Sequence, residues 1–198
     1  TNMSYSIIAK SLLEKEIESL TTLMDNLEHS FDDACQMISD CKGKIIFTGL
    51  GKSGLVAKKC AATFSSLGIP SFFIHSTEAL HGDLGMVSND DILFAFSYSG
   101  ETNEVVHMMS ALSQRNIPLI AMTGNMDSAM SQKCTIHLDI HVSEEADHLK
   151  CAPTSSTTNM MALGDAISSA VSYNNQFTKN DFHQYHPGGN LGEHLEKQ

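Results

Sequence analysis

Residues 44–54 read KIIFTGLGKSG, an apolar run followed by three glycines, a lysine and a serine. The run predicts a buried strand, and Gly49, Gly51 and Gly54 predict a tight turn into a helix. Such a turn directs backbone N–H groups and the positive end of the helix dipole at one point, which favours phosphate binding. By itself, the pattern supports a phosphate loop and a simple strand-to-helix turn equally.

The same letters match the G-x-G-x-x-G pattern of dinucleotide-binding turns. That class of site uses an acidic residue at the end of the second strand to bind ribose hydroxyls. Here the second apolar run ends at Ile74 and His75, and the nearest acid is Glu78. A dinucleotide-binding oxidoreductase is therefore an imperfect fit. A Walker A loop is excluded because Ile46 stands where a glycine is required.

Composition limits the class of protein. The 198 residues are 41% apolar and 18% charged, as in one soluble globular domain. The net charge of −11 argues against a nucleic-acid surface. Five scattered cysteines without a C-x-x-C pair predict reduced thiols in the cytoplasm rather than disulfides or a zinc site. Without a basic-then-apolar leader or a run of about eighteen apolar residues, we expect neither export nor membrane insertion.

The chain opens with two helical patterns. Apolar residues recur at helical spacing over 4–27, and Ser30, Asp32 and Asp33 mark the start of a second helix. A long amphipathic helix cannot bury its apolar stripe alone. We therefore expect residues 1–42 to pack on the following domain or on a sister subunit.

Five short apolar runs then alternate with helical stretches. The predicted strands are 44–48, 71–75, 91–97, 118–123 and 135–140. The predicted helices are 55–67, 102–114, 126–133, 155–173 and 178–184. This alternation predicts a three-layer α/β/α domain over 43–198 with a five-stranded parallel sheet, and no linker or internal repeat interrupts it.

Ligands of such sheets bind beyond the carboxyl ends of the strands, where this sequence is rich in hydroxyl groups. Ser97, Ser99 and Thr102 surround a glycine after the third strand, and 153–158 read PTSSTT. One such loop is most simply a serine-rich turn with an N-cap, but three converging loops favour a phosphorylated ligand. The predicted substrate-binding residues are Gly51, Ser53, Ser97, Ser99, Thr102, Ser155 and Ser156.

These loops resemble those of the SIS (sugar isomerase) domain, a flavodoxin-like phosphosugar-binding fold. Residues 78–86, EALHGDLGM, and 186–192, HPGGNLG, resemble the arabinose-5-phosphate isomerase family more specifically. The resemblance runs from about Gly43 to Leu195, and Ser76-Thr77 replaces the family's usual Pro-Gly or Pro-Ala. Longer family members carry a pair of CBS domains after the last motif. This chain is accordingly either a natural short form or a form trimmed to the catalytic domain.

The resemblance implies interconversion of D-ribulose 5-phosphate and D-arabinose 5-phosphate through a cis-enediol, supplying Kdo and lipopolysaccharide synthesis. Such a reaction needs a base, an acid and a group that stabilises the oxyanion, but no metal or redox cofactor. By resemblance, His81 opens the sugar ring, in its own or a neighbouring subunit's site, and His186 moves the proton between C1 and C2. The two roles are exchangeable, because both histidines suit proton transfer near neutral pH.

Three further residues complete the expected catalytic set. Lys52 is the cation beside the enediolate, an unusual position because a helix N-terminus is unfavourable for lysine. Glu104 and, by resemblance, Glu145 rather than Glu144 are alternative bases for the proton shuttle. Among the other histidines, which we leave without a role, His75 and His183 are the next candidates.

Other functions remain open at this point. A non-catalytic phosphosugar sensor would keep the hydroxyl-rich loops without needing the histidines and acids together, and a related hexulose-phosphate isomerase would differ mainly in sugar length. The family implies a homotetramer, and the sequence itself supports an oligomer. A Kdo-type nucleotide sugar is expected to exert feedback at or beside the active site.

Overall fold

A computed structural model describes residues 4–189, which alternate between helices and strands. The helices are α1 (Tyr5–Asp25), α2 (His29–Ser39), α3 (Gly51–Ser66), α4 (Ser76–Ala79), α5 (Asn103–Gln114), α6 (Ala129–Lys133), α7 (Ser155–Asn174) and α8 (Lys179–Tyr185). The strands are β1 (Ile45–Thr48), β2 (Ser71–Phe73), β3 (Ile92–Phe96), β4 (Leu119–Thr123) and β5 (Ile136–Asp139). One 3-10 helix spans Asp83–Met86.

The five strands form one parallel sheet in the order β2-β1-β3-β4-β5. This is the flavodoxin-like order, and it confirms the predicted sheet and fold class. The chain leaves β1 in one direction to build β2 and returns across it to build β3. The carboxyl ends of β1 and β3 are therefore the topological switch point, where this class of sheet leaves a crevice for ligands.

Successive side chains of the central strands enter two different apolar layers. Phe47, Phe94 and Phe96 pack against α2, α3 and α7, with the rings of Phe47 and Phe94 stacked at 5.2 Å between centroids. Ile46 and Leu93 point to the other face, against α4, α5 and α6. Burial of each such side chain contributes about 1.5–3 kcal/mol. Helices thus cover both faces, and the carboxyl edge of the sheet is where its loops can form a site.

Helix α1 lies on the outside of this arrangement. It has no buried residue, although it packs along α7. Ile7, Ile17 and Met24 are more than half exposed. The helix therefore presents an apolar stripe that residues 4–189 leave uncovered.

Several boundaries differ from those predicted. Helix α3 begins at Gly51 rather than at residue 55, so that the Gly-Lys-Ser-Gly segment forms its first turn. Helix α2 begins at His29 with Glu28 as its N-cap residue, whereas we predicted a start at Ser30. Helix α6 begins at Ala129 rather than near residue 126, because the Ser128 side chain caps it by accepting from the Ser131 N–H. Helix α4 and the 3-10 helix were not predicted, since each spans only four residues.

Candidate active site

The turn from β1 into α3 is tight because two glycines touch. A Cβ atom at Gly49 would lie 3.0 Å from the backbone of Gly54, and one at Gly54 would lie 2.9 Å from the Gly49 carbonyl oxygen. Gly51 has a φ of +59°, a left-handed conformation that other residues rarely adopt. These constraints seat the N-terminus of α3 on the end of β1, where its first N–H groups have no partner within the helix.

The hydroxyl groups of the loop after β3 form a cluster. The Oγ of Ser97 lies 2.8 Å from the Oγ1 of Thr102 and 3.4 Å from the Oγ of Ser99. The N–H of Gly100 donates to the Ser97 Oγ at 3.1 Å. Thr102 occupies the N-cap position of α5 without making a side-chain cap, so its hydroxyl belongs to the cluster.

The β1 and β3 loops open side by side. A Cβ atom at Gly49 would lie 3.2 Å from the carbonyl oxygen of Phe96, the residue that precedes Ser97. The pairing of the two strands is consistent with this closeness, because Thr48 at the end of β1 lies opposite Ala95 of β3. The unpaired N–H groups of α3 and the hydroxyl cluster therefore border the same crevice. Together they supply neutral donors suited to a phosphate.

A cavity of about 590 Å³ lies beside the first turn of α3. It is lined by Gly51, Lys52, Gly54, Leu55, Lys58, Phe73 and His75. We predicted Gly51 and Lys52 at this place. Lys58 and Phe73 left no signal in the sequence, and His75 was only a next candidate without a role.

His75 enters the cavity from the segment after β2. Its Nδ1 accepts the backbone N–H of Thr77 at 3.3 Å and so caps α4. A neutral imidazole held in this way carries its proton on Nε2. His75 thus offers a hydrogen-bond donor on the same cavity wall as Lys52.

Glu145 caps the N-terminus of α7. Its Oε1 accepts the Ser156 N–H at 2.9 Å, and its Oε2 accepts the Ser156 hydroxyl at 2.8 Å. Ser156 is therefore bound to Glu145 within the protein, and its predicted contact with the substrate stays a prediction. Ser155 is fully buried, and its Oγ has no hydrogen-bond partner among the described residues.

The adjacent Glu144 has a different environment. Its carboxylate lies 2.9 Å from the Nζ of Lys150 and 3.7 Å from that of Lys15 on α1. The hydrogen bond from Lys150 lowers the pKa of Glu144 below its usual value. The two neighbouring acids therefore differ in their contacts, since Glu144 makes surface ion pairs whereas Glu145 binds the start of α7.

Tyr98 ties the region of Glu145 to the hydroxyl cluster. Its hydroxyl donates to the carbonyl oxygen of Val142 at 3.2 Å and accepts the Val142 N–H at 3.1 Å.

Glu104 lies half-buried in the first turn of α5, two residues after Thr102. Both expected acids thus belong to segments that leave the carboxyl edge of the sheet.

The two expected histidines do not join the cavity of their own chain. The Nε2 of His186 shares a hydrogen bond of 3.1 Å with the Oγ of Ser66. The His186 ring stacks on that of Phe182, with 3.8 Å between the ring centroids. Ser66 is the last residue of α3, about 20 Å along the helix from Lys52. His81 is exposed, between α4 and the 3-10 helix. Residues 190–192 of the last motif lie outside the described residues.

Other site types have less support. Residues 4–189 contain no group of three or more His, Cys, Asp or Glu arranged to hold a metal ion. Burial raises the pKa of the Cys60 thiol to about 12 and that of Cys35 to about 11. Within the same range, no helix is long and apolar enough to cross a membrane.

Comparison with known proteins places this geometry in a family. The SIS domain model matches residues 37–170. The chain is 44% identical over 186 residues to arabinose 5-phosphate isomerase KdsD of Shigella flexneri and 41% identical over 194 residues to that of Pseudomonas aeruginosa. These alignments cover 94% and 98% of this chain but only 57% and 60% of the relatives, so the chain spans less than two thirds of their length.

A solved structure from E. coli CFT073, in complex with arabinose 5-phosphate, has the same fold. It is 39% identical, superposes with a TM-score of 0.90, and the match covers 93% of this chain and 100% of that one. The family model, these relatives and the flavodoxin-like sheet agree. The chain belongs to the SIS domain family.

Proposed function

We propose that this protein is an aldose-ketose isomerase that interconverts D-ribulose 5-phosphate and D-arabinose 5-phosphate. The observation that carries the proposal is the cluster of Ser97, Ser99 and Thr102 beside the N-terminus of α3, with Lys52 on the adjoining cavity wall. Relatives named arabinose 5-phosphate isomerase and a relative bound to arabinose 5-phosphate support the choice of sugar. By family resemblance, the product supplies Kdo and lipopolysaccharide synthesis.

The phosphate binds at the switch point. The hydroxyls of Ser97, Ser99 and Thr102 and the first N–H groups of α3, at Gly51 and Ser53, surround it. These donors carry no formal charge, so the helix dipole and the oriented N–H groups supply most of the attraction. This arrangement suits a chain with a net charge of −11, in which bulk electrostatics would repel a sugar phosphate.

The sugar extends from the phosphate into the cavity beside α3. A base removes the C1 proton of the ketose, and the electrons form the C1=C2 bond of a cis-enediol while the C2 carbonyl oxygen takes a proton. Return of a proton to C2 and loss of the C1 hydroxyl proton then give the aldose. Lys52 stabilises the enediolate oxygen, and Glu145 or Glu104 supplies a carboxylate base if His186 does not.

His81 and His186 act on the site of a neighbouring subunit. Neither histidine lines the cavity of its own chain, and this observation and the apolar stripe on α1 both support the arrangement. We infer a homo-oligomer, a tetramer by family resemblance. Mixing Lys52→Met and His186→Asn proteins after reversible dissociation should restore activity that neither has alone. Absence of restored activity in verified mixed oligomers would contradict action in trans.

Feedback by a Kdo-type nucleotide sugar is part of the proposal. The cavity places Lys52 and Lys58 where anionic groups of such a molecule can bind. Inhibition should be competitive with the sugar phosphate, and an inhibitor that saturating substrate fails to displace would bind elsewhere. We assign the enzyme to the cytoplasm, which agrees with its unpaired cysteines.

The test is an NMR assay of the purified chain with ribulose 5-phosphate. We expect the arabinose anomeric signals to grow to equilibrium, and Lys52→Met to slow their growth by about a hundredfold or more. Binding of ribulose 5-phosphate without turnover would contradict the proposal and indicate a phosphosugar sensor. Turnover of a six-carbon ketose phosphate alone would indicate a hexulose-phosphate isomerase.

A further inference from the structure

Arg115 is the only arginine in the chain, and its guanidinium binds two backbone carbonyls of one segment. Nη1 donates to the Leu84 oxygen at 3.1 Å, and Nη2 donates to the Val87 oxygen at 2.6 Å. The planar fork of an arginine holds two acceptors at fixed separation, which a lysine cannot do. Arg115 therefore fixes the position and orientation of this segment relative to α5.

The segment is the one that carries His81. It runs from α4 through His81 and Gly82 into the 3-10 helix and ends at Val87. Ala79 and Val87 are buried at its two ends, whereas most residues between them are exposed. Between them only Leu84 is half-buried, packed against the same apolar layer, so the segment is held at its ends and through this one side chain while the residues around His81 are exposed.

Two glycines give the backbone of this segment few conformational restrictions. Gly82 has a φ of +119°, and there is open space around the Cα atoms of both Gly82 and Gly85. Two glycines in such surroundings give the chain a wide range of alternative conformations. Without a second anchor beside Val87, His81 would be poorly positioned.

The second anchor lies on the same helix as the phosphate cluster. Thr102 precedes the first residue of α5, and Arg115 directly follows its last. A helix of 12 residues is about 18 Å long and rigid. One element therefore fixes the hydroxyl cluster at one end and the segment of His81 at the other.

We infer that Arg115 is a positioning residue that holds the His81 segment in its productive geometry. The inference rests on the proposed isomerase function, because it gives His81 a role at a reacting sugar. Arg115 itself touches no substrate. Its effect on the reaction passes through the backbone of residues 81–87 and then through the imidazole of His81.

The experiment compares Arg115→Met and Arg115→Lys with the parent and with Lys133→Met. Methionine removes both donors and keeps an unbranched apolar side chain, whereas lysine restores at most one of the two contacts. Lys133 is an exposed cation in the last turn of α6 and serves as the matched control. The readouts are kcat, the inhibition constant of D-arabinitol 5-phosphate, which has no carbonyl to isomerise, and hydrogen exchange of residues 80–87.

For Arg115→Met we expect kcat to fall by about ten- to a hundredfold, because small displacements of a catalytic group are costly. The inhibition constant should change less than about threefold, since the phosphate cluster is intact. Hydrogen exchange should be faster than in the parent within residues 80–87 and unchanged in β1 and β3. Arg115→Lys should be intermediate, and Lys133→Met should behave as the parent.

Three results would overturn the inference. If hydrogen exchange of residues 80–87 is as slow in Arg115→Met as in the parent, the arginine does not hold the segment. Faster exchange with parental kcat would show that holding it does not matter for the reaction. A uniform acceleration across the sheet, with binding lost as much as turnover, would show a general effect on folding. A parent without isomerase activity overturns the proposed function instead, and the exchange data then still decide whether Arg115 anchors the segment.

Discussion

The carboxylate of Glu145 receives two hydrogen bonds from Ser156, one from its backbone N–H at 2.9 Å and one from its hydroxyl at 2.8 Å. The pair joins the loop after β5 to the first turn of α7. A helix N-terminus attracts negative charge, so the contact both caps the helix and orients the acid. If Glu145 contributes to proton transfer, Ser156 is the residue that aims it.

With Glu145 as the base of the proton shuttle, replacing it by Gln should lower kcat by about a hundredfold or more, because an amide cannot serve as a base. The amide oxygen can still accept one of the two bonds, so the loss of stability should stay near ~1 kcal/mol. Steady-state kinetics and thermal unfolding measure the two effects separately. Glu144→Gln is the matched control, and an equal fall in kcat there would contradict the assignment.

Ser97→Ala should weaken sugar-phosphate binding. The Ser97 hydroxyl contacts both other hydroxyls of the cluster and accepts the Gly100 N–H, so its loss removes a donor and disorders the loop. We expect KM for ribulose 5-phosphate to rise by about tenfold or more, with a smaller change in kcat. Ser113→Ala, in the exposed last turn of α5, should leave both unchanged. A parental KM for Ser97→Ala would remove the cluster from the binding site.

His75→Phe should impair the enzyme, although we predicted no role for this residue from the sequence. The substitution removes the Nε2–H donor from the cavity wall and the cap on Thr77, while it keeps a ring beside Phe73. We expect kcat/KM to fall by about tenfold, consistent with one lost hydrogen bond to a sugar hydroxyl. His75→Asn, which can keep the cap, separates the two effects. Parental kcat/KM for both variants would exclude contact with the sugar.

His137 should make folding stability depend on pH. Burial lowers its pKa below the usual value, an effect that the nearby Asp139 carboxylate partly opposes. The folded state therefore keeps the imidazole neutral at a pH where the unfolded chain, with a pKa of about 6.5, binds a proton. Stability from this group is present above about pH 6.5 and is lost as pH falls below it.

His137→Gln should flatten the pH dependence of the unfolding free energy below about pH 6.5. Denaturant titrations at several pH values measure the slope, and glutamine can retain the contact with the Thr123 hydroxyl. An unchanged slope in His137→Gln would mean that this group does not couple to folding.

The sheet could be predicted because its strands are nearly continuous apolar runs, as Ile92–Phe96 shows with five buried residues in succession. The loops of the site followed from their position after those strands. The first turn of α3 was missed since the positive φ of Gly51 lets a helix begin inside a glycine-rich segment. No pattern of neighbouring residues predicts a helix that begins inside such a segment.

Long-range contacts limited the prediction of the site itself. We predicted Ser155 and Ser156 as ligand-binding hydroxyls, and the sequence did not show that Ser156 also binds an acid eleven positions earlier in the chain. The position of His186 depends on its contact with Ser66, 120 positions away. His75 joins the cavity only because β2 lies beside β1 in the sheet. These relationships are set by tertiary packing and leave no periodic signal in the sequence.

The central claim, an isomerase acting through an enediol, is tested most directly by running the interconversion of ribulose 5-phosphate in D₂O. NMR of the product should show arabinose 5-phosphate carrying deuterium at C2, because the base exchanges its proton with solvent during the lifetime of the enediol. Ser97→Ala should form the same labelled product more slowly. Arabinose 5-phosphate that retains protium at C2 in every turnover, or no product from a folded chain that binds the sugar phosphate, would contradict the account.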